Sequence, residues 1–175
     1  MPIKMIAAID LNGNLGYKGE LLTTNQKADL KHFKELTTNK LIVMGRTTFD
    51  SILRYNNGKS LSNRTHIVLS NNESYSTNQD NCFVYHSIND VLHDYNEYGN
   101  NEDVWVIGGE QIYTQFLPHV DEIHLTIFHN VFEEVDAYFP LIDLKDWTIS
   151  SNESYGKDEQ NEFDYNFVTY RRKTK

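Results

Sequence analysis

The chain has 175 residues and a formal net charge of -9, enough length for one buried core and too acidic a surface for general binding to nucleic acid or anionic membranes. Cys82 is the single cysteine, which excludes an intrachain disulfide and a cysteine zinc site, and the seven histidines follow no metal-ligating spacing. The opening apolar run, Met5 to Ile9, is too short for a signal segment or a membrane span.

These bounds lead us to expect one domain over residues 1–175, cytoplasmic, without a metal and with mostly surface histidines. Ile3 to Ile9 reads as a strand that runs into Asp10-Leu-Asn-Gly-Asn-Leu-Gly16. That turn-rich segment, continued to Leu22, is expected to place mobile backbone beside a ligand. Asn25 to Thr38 has helical spacing, with Leu30, Phe33 and Leu36 on one face and Lys27, Lys31 and Lys34 on the other. Asp29 breaks the pattern by falling inside the apolar stripe. A carboxylate held against Leu and Phe is costly unless it meets a partner, and its pKa should rise. Those properties suit an acid that contacts a ligand. The same residue stands in the first helical turn, where Asn25 or a Thr23…Gln26 capping box would start the helix and the helix dipole favours an acid. On this helix alone both readings stay open.

Leu41 to Met44 is wholly apolar, as in a strand covered on both faces, and leads directly into Gly45-Arg46-Thr47-Thr48 and a second helix using Phe49, Ile52 and Leu53. A buried strand turning through glycine into a helix N-terminus, with a guanidinium beside it, can cradle phosphate. It is also the ordinary corner of an α/β fold. Arg64 to Ser70 and Cys82 to Tyr85 read as strands, Asn71 to Asn81 and Asn96 to Asp103 as polar connections, and Ser87 as the cap of a helix. Val104 to Ile107 repeats the first junction, running into Gly108-Gly109 and a helix stopped by Pro118. Two such junctions suit a ligand with several phosphates, and bare glycines let a flat ring or a pyrophosphate approach the backbone. Glu122 to His129 alternates as a strand with one apolar face, Thr126 lying on the other. Trp147 to Ser154 and the run Phe163, Tyr165, Phe167 read as a terminal antiparallel pair. Strands alternating with helices predict an α/β fold with a mostly parallel sheet.

Taken together and in order, Ile6-Ala-Ala8, Leu15-Gly16, Asp29-Leu30…Phe33, Met44-Gly-Arg-Thr-Thr-Phe49…Ser51-Ile52, Arg64, Val106-Ile-Gly-Gly109…Ile112-Tyr113, Thr126 and Asp136…Phe139-Pro140 resemble the dihydrofolate reductase family over nearly the whole chain. The resemblance implies an eight-stranded, mostly parallel mixed sheet with a C-terminal antiparallel hairpin and roughly four helices. It implies NADPH-dependent reduction of 7,8-dihydrofolate by a monomer. Asp29 would hold the pterin and support protonation of nitrogen 5, with Thr126 beside it. Ile6, Leu30, Phe33 and Ile52 would wall the substrate, and Arg64 would pair with its carboxylate tail. Ala8, Leu15, Gly16, Ile107, Ile112 and Tyr113 would border the nicotinamide end of the cofactor. Gly45, Arg46, Thr47, Thr48, Leu69 and Ser70 would take its phosphates, and Gly108 and Gly109 its pyrophosphate. Leu22-Thr23-Thr24 stands where relatives carry Leu-Pro-Trp, which implies a looser loop and a weaker grip on inhibitors. The alternatives are a pyrimidine reductase of riboflavin biosynthesis and a noncatalytic folate- or nucleotide-binding relative.

Overall fold

The computed structural model describes residues 2–98 and 102–174, so part of the connection predicted between Asn96 and Asp103 lies outside the described residues. In chain order the elements are β1 (Ile3–Asp10), β2 (Asn14–Tyr17), β3 (Glu20–Leu21), α1 (Lys27–Thr37), β4 (Leu41–Gly45), α2 (Arg46–Tyr55), β5 (Thr65–Leu69) and β6 (Cys82–Tyr85). They continue with α3 (Ile88–Tyr98), β7 (Val104–Gly108), α4 (Glu110–Phe116), β8 (Glu122–Phe128), β9 (Ala137–Tyr138), β10 (Trp147–Tyr155) and β11 (Tyr165–Arg172). A short 3₁₀ turn, Leu117–His119, carries Pro118 beyond the end of α4.

Eight strands form one sheet in the order β10-β11-β8-β1-β7-β4-β5-β6. Only β11 runs against the rest, pairing antiparallel with both β8 and β10. The apolar runs Leu41 to Met44 and Val104 to Ile107 occupy the middle of this sheet, where both faces are covered. α1 and α2 pack Phe33, Leu36, Phe49 and Ile52 on one face against Ile6, Ile42, Met44 and Trp105. α3 and α4 cover the other through Val91, Tyr95, Tyr113 and Phe116.

Three sequence expectations need correction. β8 was expected to bury one face, yet Thr126 and Phe128 are as buried as Ile123 and Leu125. The cause is its position: β8 lies between β1 and β11, and α1 covers the face that carries Thr126. Phe163 lies outside β11 and packs edge-on against Phe132 at 5.5 Å. His66 is fully buried rather than at the surface; its Nε2 accepts from the Leu61 amide at 3.2 Å and burial lowers its pKa.

The segment from Asp10 to Leu22 is folded, where sequence suggested a mobile loop. β2 and β3 pair as a hairpin, and β9 adds to the other edge of β2. Gly16 makes the hairpin possible, since a Cβ there would stand 2.3 Å from the Glu20 carbonyl oxygen. Asp10, fully buried, anchors the turn by accepting from the amides of Asn12 (2.9 Å) and Asn14 (3.0 Å) and from Asn14 Nδ2 (2.7 Å). Oδ2, which holds Asn14 Nδ2, also accepts from the amide of Phe132 in the β8–β9 connection at 3.0 Å. Burial alone would raise the pKa of Asp10; these donors outweigh it and leave the carboxyl below its usual range.

Candidate active site

β1 pairs with β7 only as far as Met5 and Val106, while its pairing with β8 continues to Asp10 and Phe128. The sheet therefore opens beyond Ile6 and Ile107 at the carboxyl ends of its central strands, where open α/β sheets take their ligands. Tyr113 spans the gap from below, its hydroxyl 2.7 Å from the carbonyl oxygens of both Ile6 and Ile107. A hydroxyl has one proton, so one carbonyl at a time keeps its acceptor capacity for a ligand N–H.

α1 lies across this opening. Asp29, in its first turn, faces Thr126 of β8, and Thr126 is level with Ala8 of β1. The carboxylate reaches solvent only partly and is enclosed by protein on most sides. Desolvation pushes its pKa up to about 6, and the Thr126 hydroxyl offsets part of the rise. Tyr113 is pushed further above its ordinary value by burial and by the negative charge of Asp29. Ile6, Phe33, Ile52 and Ile107 share the apolar cluster next to this acid, whereas Leu30 is 43% exposed and forms the rim. The stripe read from the sequence thus faces an open cleft, and Thr37 is the buried residue of α1.

The capping-box reading of this helix does not hold. Its N-cap is Gln26, which makes no local side-chain capping bond. Instead Asn161 Oδ1 accepts from the Ala28 amide at 2.9 Å, across 133 positions of sequence. Asn161 was not a sequence candidate, because nothing local marks it, and Gln26 was read only as half of a local capping box.

At the far end of α1, Arg64 is buried, donates from Nε to Thr37 Oγ1 at 3.0 Å and from Nη1 to the Ser62 carbonyl at 2.7 Å, and stands over the Phe33 ring at 5.7 Å. No carboxylate neutralises it among the described residues. The guanidinium is held in place with Nη2 unengaged, a suitable receptor for a ligand carboxylate.

The two strand–glycine–helix junctions are adjacent, since β4 pairs with β7. Gly108, at φ +136, adopts a backbone that side chains rarely enter, and a Cβ there would stand 3.4 Å from both Thr48 Oγ1 and the Tyr113 hydroxyl. Thr48 Oγ1 is equally near Gly109, and Ile112 packs over Gly45. α2 opens without a side-chain cap, so its first amides face outward. Thr47 lies next to the hairpin at Gly19. Leu15, partly buried, packs against the cluster containing Tyr113 and Phe116.

Arg46 stacks on Tyr75 at 4.4 Å and approaches Asp50 at 3.6 Å. Tyr75 sits in a segment read only as polar loop. Ser70 is buried at the end of β5, next to buried Leu69; its hydroxyl accepts from the Asn72 amide at 3.2 Å, and its carbonyl meets His86 Nδ1 at 2.8 Å. The hairpin is fastened to α2 across the cleft mouth by Ser51 Oγ donating to the Gly19 carbonyl at 2.7 Å, Arg54 to Glu20 at 3.4 Å, and Tyr55 to Glu20. A separate groove of about 630 Å³ lies between the hairpin and the β8–β9 connection, and none of the predicted site residues borders it.

The dihydrofolate reductase family matches residues 2–172. Dihydrofolate reductase from Bacillus subtilis (strain 168) is 37% identical over 171 residues, covering 98% of this chain and 95% of the relative. The Staphylococcus haemolyticus enzyme of the same name is 33% identical over 172 residues, covering 98% and 96%. Among solved structures, dihydrofolate reductase from Enterococcus faecalis complexed with NADP(H) and RAB-propyl superposes with a TM-score of 0.85 at 30% identity, covering 99% of this chain and 97% of that one. With a matching family over nearly its full length and an acid-bearing cleft beside two glycine junctions, the chain belongs to the dihydrofolate reductase family.

Proposed function

We propose that this chain reduces 7,8-dihydrofolate to 5,6,7,8-tetrahydrofolate with NADPH, and that it does so through Asp29. The observation that carries the assignment is a carboxylate held at a pKa of about 6 in an apolar cleft, facing Thr126. Such a group is mostly ionised at neutral pH and still exchanges its proton near neutrality. Asp29 accepts hydrogen bonds from the amide and amino groups of the pterin and supports protonation of nitrogen 5. Thr126 orients the carboxylate. Ile6, Phe33 and Ile52 wall the rings with Leu30 at the rim, and Arg64 takes the carboxylate of the tail.

The residues present fit the cofactor. The Gly108–Gly109 ledge carries no side chain and borders the Thr48 hydroxyl, and Arg46 provides a half-exposed cation at the open start of α2. Gly45, Arg46, Thr47, Thr48, Leu69 and Ser70 would hold the phosphate-bearing half. Ala8, Gly16, Ile107, Ile112 and Tyr113 would border the nicotinamide, with Leu15 supporting them from the core. Bound there, NADPH supplies the hydride. The hairpin and α2 close over the reacting rings and keep water out.

No helix among the described residues is long and apolar enough to cross a membrane. We assign residues 1–175 to one domain acting as a monomer in the cytoplasm. The test is loss of reduced-nicotinamide absorbance on adding dihydrofolate, run beside the deaminated pyrimidine substrate of the riboflavin-pathway alternative. Turnover of the pyrimidine alone, or of neither, would reject the assignment.

A further inference from the structure

The first turn of α1 is capped from outside the helix. Its N-cap residue, Gln26, has φ -129 and ψ 78 and offers no side-chain bond to the turn it begins. The Lys27 amide donates to the Gln160 carbonyl at 3.1 Å and the Ala28 amide to Asn161 Oδ1 at 2.9 Å. The amide of Asn25's distant neighbour Glu162 returns a bond to the Asn25 carbonyl at 3.0 Å. Gln26 is 1% exposed and pairs with the backbone of Phe163 in both directions, accepting from its amide at 2.8 Å and donating to its carbonyl at 3.2 Å. Asn161, also buried, is steadied by donating from Nδ2 to Asp158 at 2.9 Å. These bonds join two segments that the chain separates by more than a hundred residues, in the connection between β10 and β11.

An acid at the third position of a helix ordinarily folds back on the free amides of its own first turn. Here the β10–β11 connection already occupies two of those amides, and the Asp29 amide donates to the Gln26 carbonyl at 3.1 Å. Two local partners are thereby withdrawn from the Asp29 carboxylate, which faces Thr126 and the cleft. We propose that Gln26 and Asn161 are positioning residues for the reductase reaction: Gln26 fastens the start of α1 to the β10–β11 connection, Asn161 caps it from that connection, and together they direct Asp29 toward the substrate. The inference rests on the role given to Asp29 above.

Asn161→Ala frees the Ala28 amide to compete for the Asp29 carboxylate. KM for dihydrofolate is expected to rise about fivefold or more, the effect of a lost helix cap. KM for NADPH should stay unchanged, because none of the cofactor residues lies on α1 or in the β10–β11 connection. A carboxylate bonded to helix amides ionises more easily, so the acidic limb of the kcat/KM profile should move to lower pH. The other titratable groups at the joint, Asp158 and Glu162, already accept hydrogen bonds from Asn161 and Thr23. Asn161→Ser keeps a capping oxygen without adding a charge beside Asp158 and should restore most of the KM. Gln26→Met, close in volume and uncharged, gives up both bonds to Phe163 and decides the matter at temperatures where Asn161→Ala is unfolded. A lower Tm with wild-type KM values and pH profile, or an equal rise in both KM values, would make the joint purely structural and overturn the proposal. Asp29→Asn run in parallel separates the failures: if it alters the profile and Asn161→Ala does not, only this inference falls. If Asp29→Asn also keeps the wild-type profile, the Asp29 assignment falls with it.

Discussion

The substrate half and the cofactor half of the cleft are built by opposite means. On the cofactor side the work falls to backbone and short local units: β4 turns through Gly45 into α2, β7 through Gly108 and Gly109 into α4, and the units stand together because β4 and β7 pair. On the substrate side it falls to side chains whose placement comes from far along the chain. Asp29 faces Thr126, Arg64 is fixed by Thr37, and α1 is capped by Asn161. A site made of backbone tolerates changes of side chain and fails when the backbone cannot adopt its conformation. A site made of side chains fails group by group.

Asp29→Asn should break the comparison most sharply. Loss of a group that assists proton transfer is expected to reduce kcat about 10² to 10⁴-fold at neutral pH. The deficit should shrink in acid, where solvent protonates the substrate; steady-state rates across pH check this, and a profile parallel to wild type would reject the role. Stability should move the other way. The folded-state pKa of Asp29 lies above its model-compound value of 3.8, at about 6. Its protonated form is thus favoured on folding. The associated stability is fully present below the lower value and lost as pH rises through the higher one, up to about 3 kcal/mol. Asp29→Asn should therefore unfold at higher denaturant than wild type at neutral pH, and match it in acid.

Gly108→Ala tests the backbone side. The φ of +136 is strained for alanine and the Cβ would crowd Thr48 and Tyr113, so a cost of about 1–3 kcal/mol is expected. NADPH affinity should fall about tenfold or more, with dihydrofolate binding to the free enzyme nearly unchanged; equal losses for both ligands would show that the halves are not separable. Arg46→Gln is the next smaller effect. It removes one charge-assisted contact, worth roughly 1.5–3 kcal/mol, and should narrow the preference for NADPH over NADH. Specificity constants for the two cofactors measure it, and an unchanged ratio would place the 2′-phosphate elsewhere.

The smallest effect is expected at Thr23 and Thr24. Thr23 accepts from the Asn25 amide at 3.0 Å and donates to Glu162 at 3.2 Å, so the segment is tied where sequence alone suggested looseness. The double change Thr23→Pro with Thr24→Trp should tighten a diaminopyrimidine inhibitor by a few-fold, about 1 kcal/mol from added apolar contact and a stiffer chain. Inhibition constants that do not move would mark the pair as neutral.

The same contrast explains what the sequence disclosed. The glycine junctions were legible because strand, turn and helix start are contiguous, and Asp29 because it violated its own helical stripe. Gln26 and Asn161 were not, since two polar residues in separate loops carry no periodicity until the chain brings them together. The β2–β3 hairpin escaped for a related reason: its strands are too short to show alternation, and β2 gains a second neighbour only from Ala137 and Tyr138. Tyr75 acquires meaning only where Arg46 stacks on it.

Asp10 links two loops that a sequence diagram would draw as independent. Its Oδ1 holds the amides of the turn before β2, and its Oδ2 accepts from both the Asn14 side chain and the Phe132 amide. Neither loop can lift without giving up bonds to a shared buried charge, so the two should open in a single event. In hydrogen exchange the amides of Asn14 and Phe132 should then report one common opening free energy, and on ligand release the two loops should relax with a single rate constant. Asp10→Asn, which keeps the acceptor oxygen but replaces the other with a donor facing the Phe132 amide, should split that event into two.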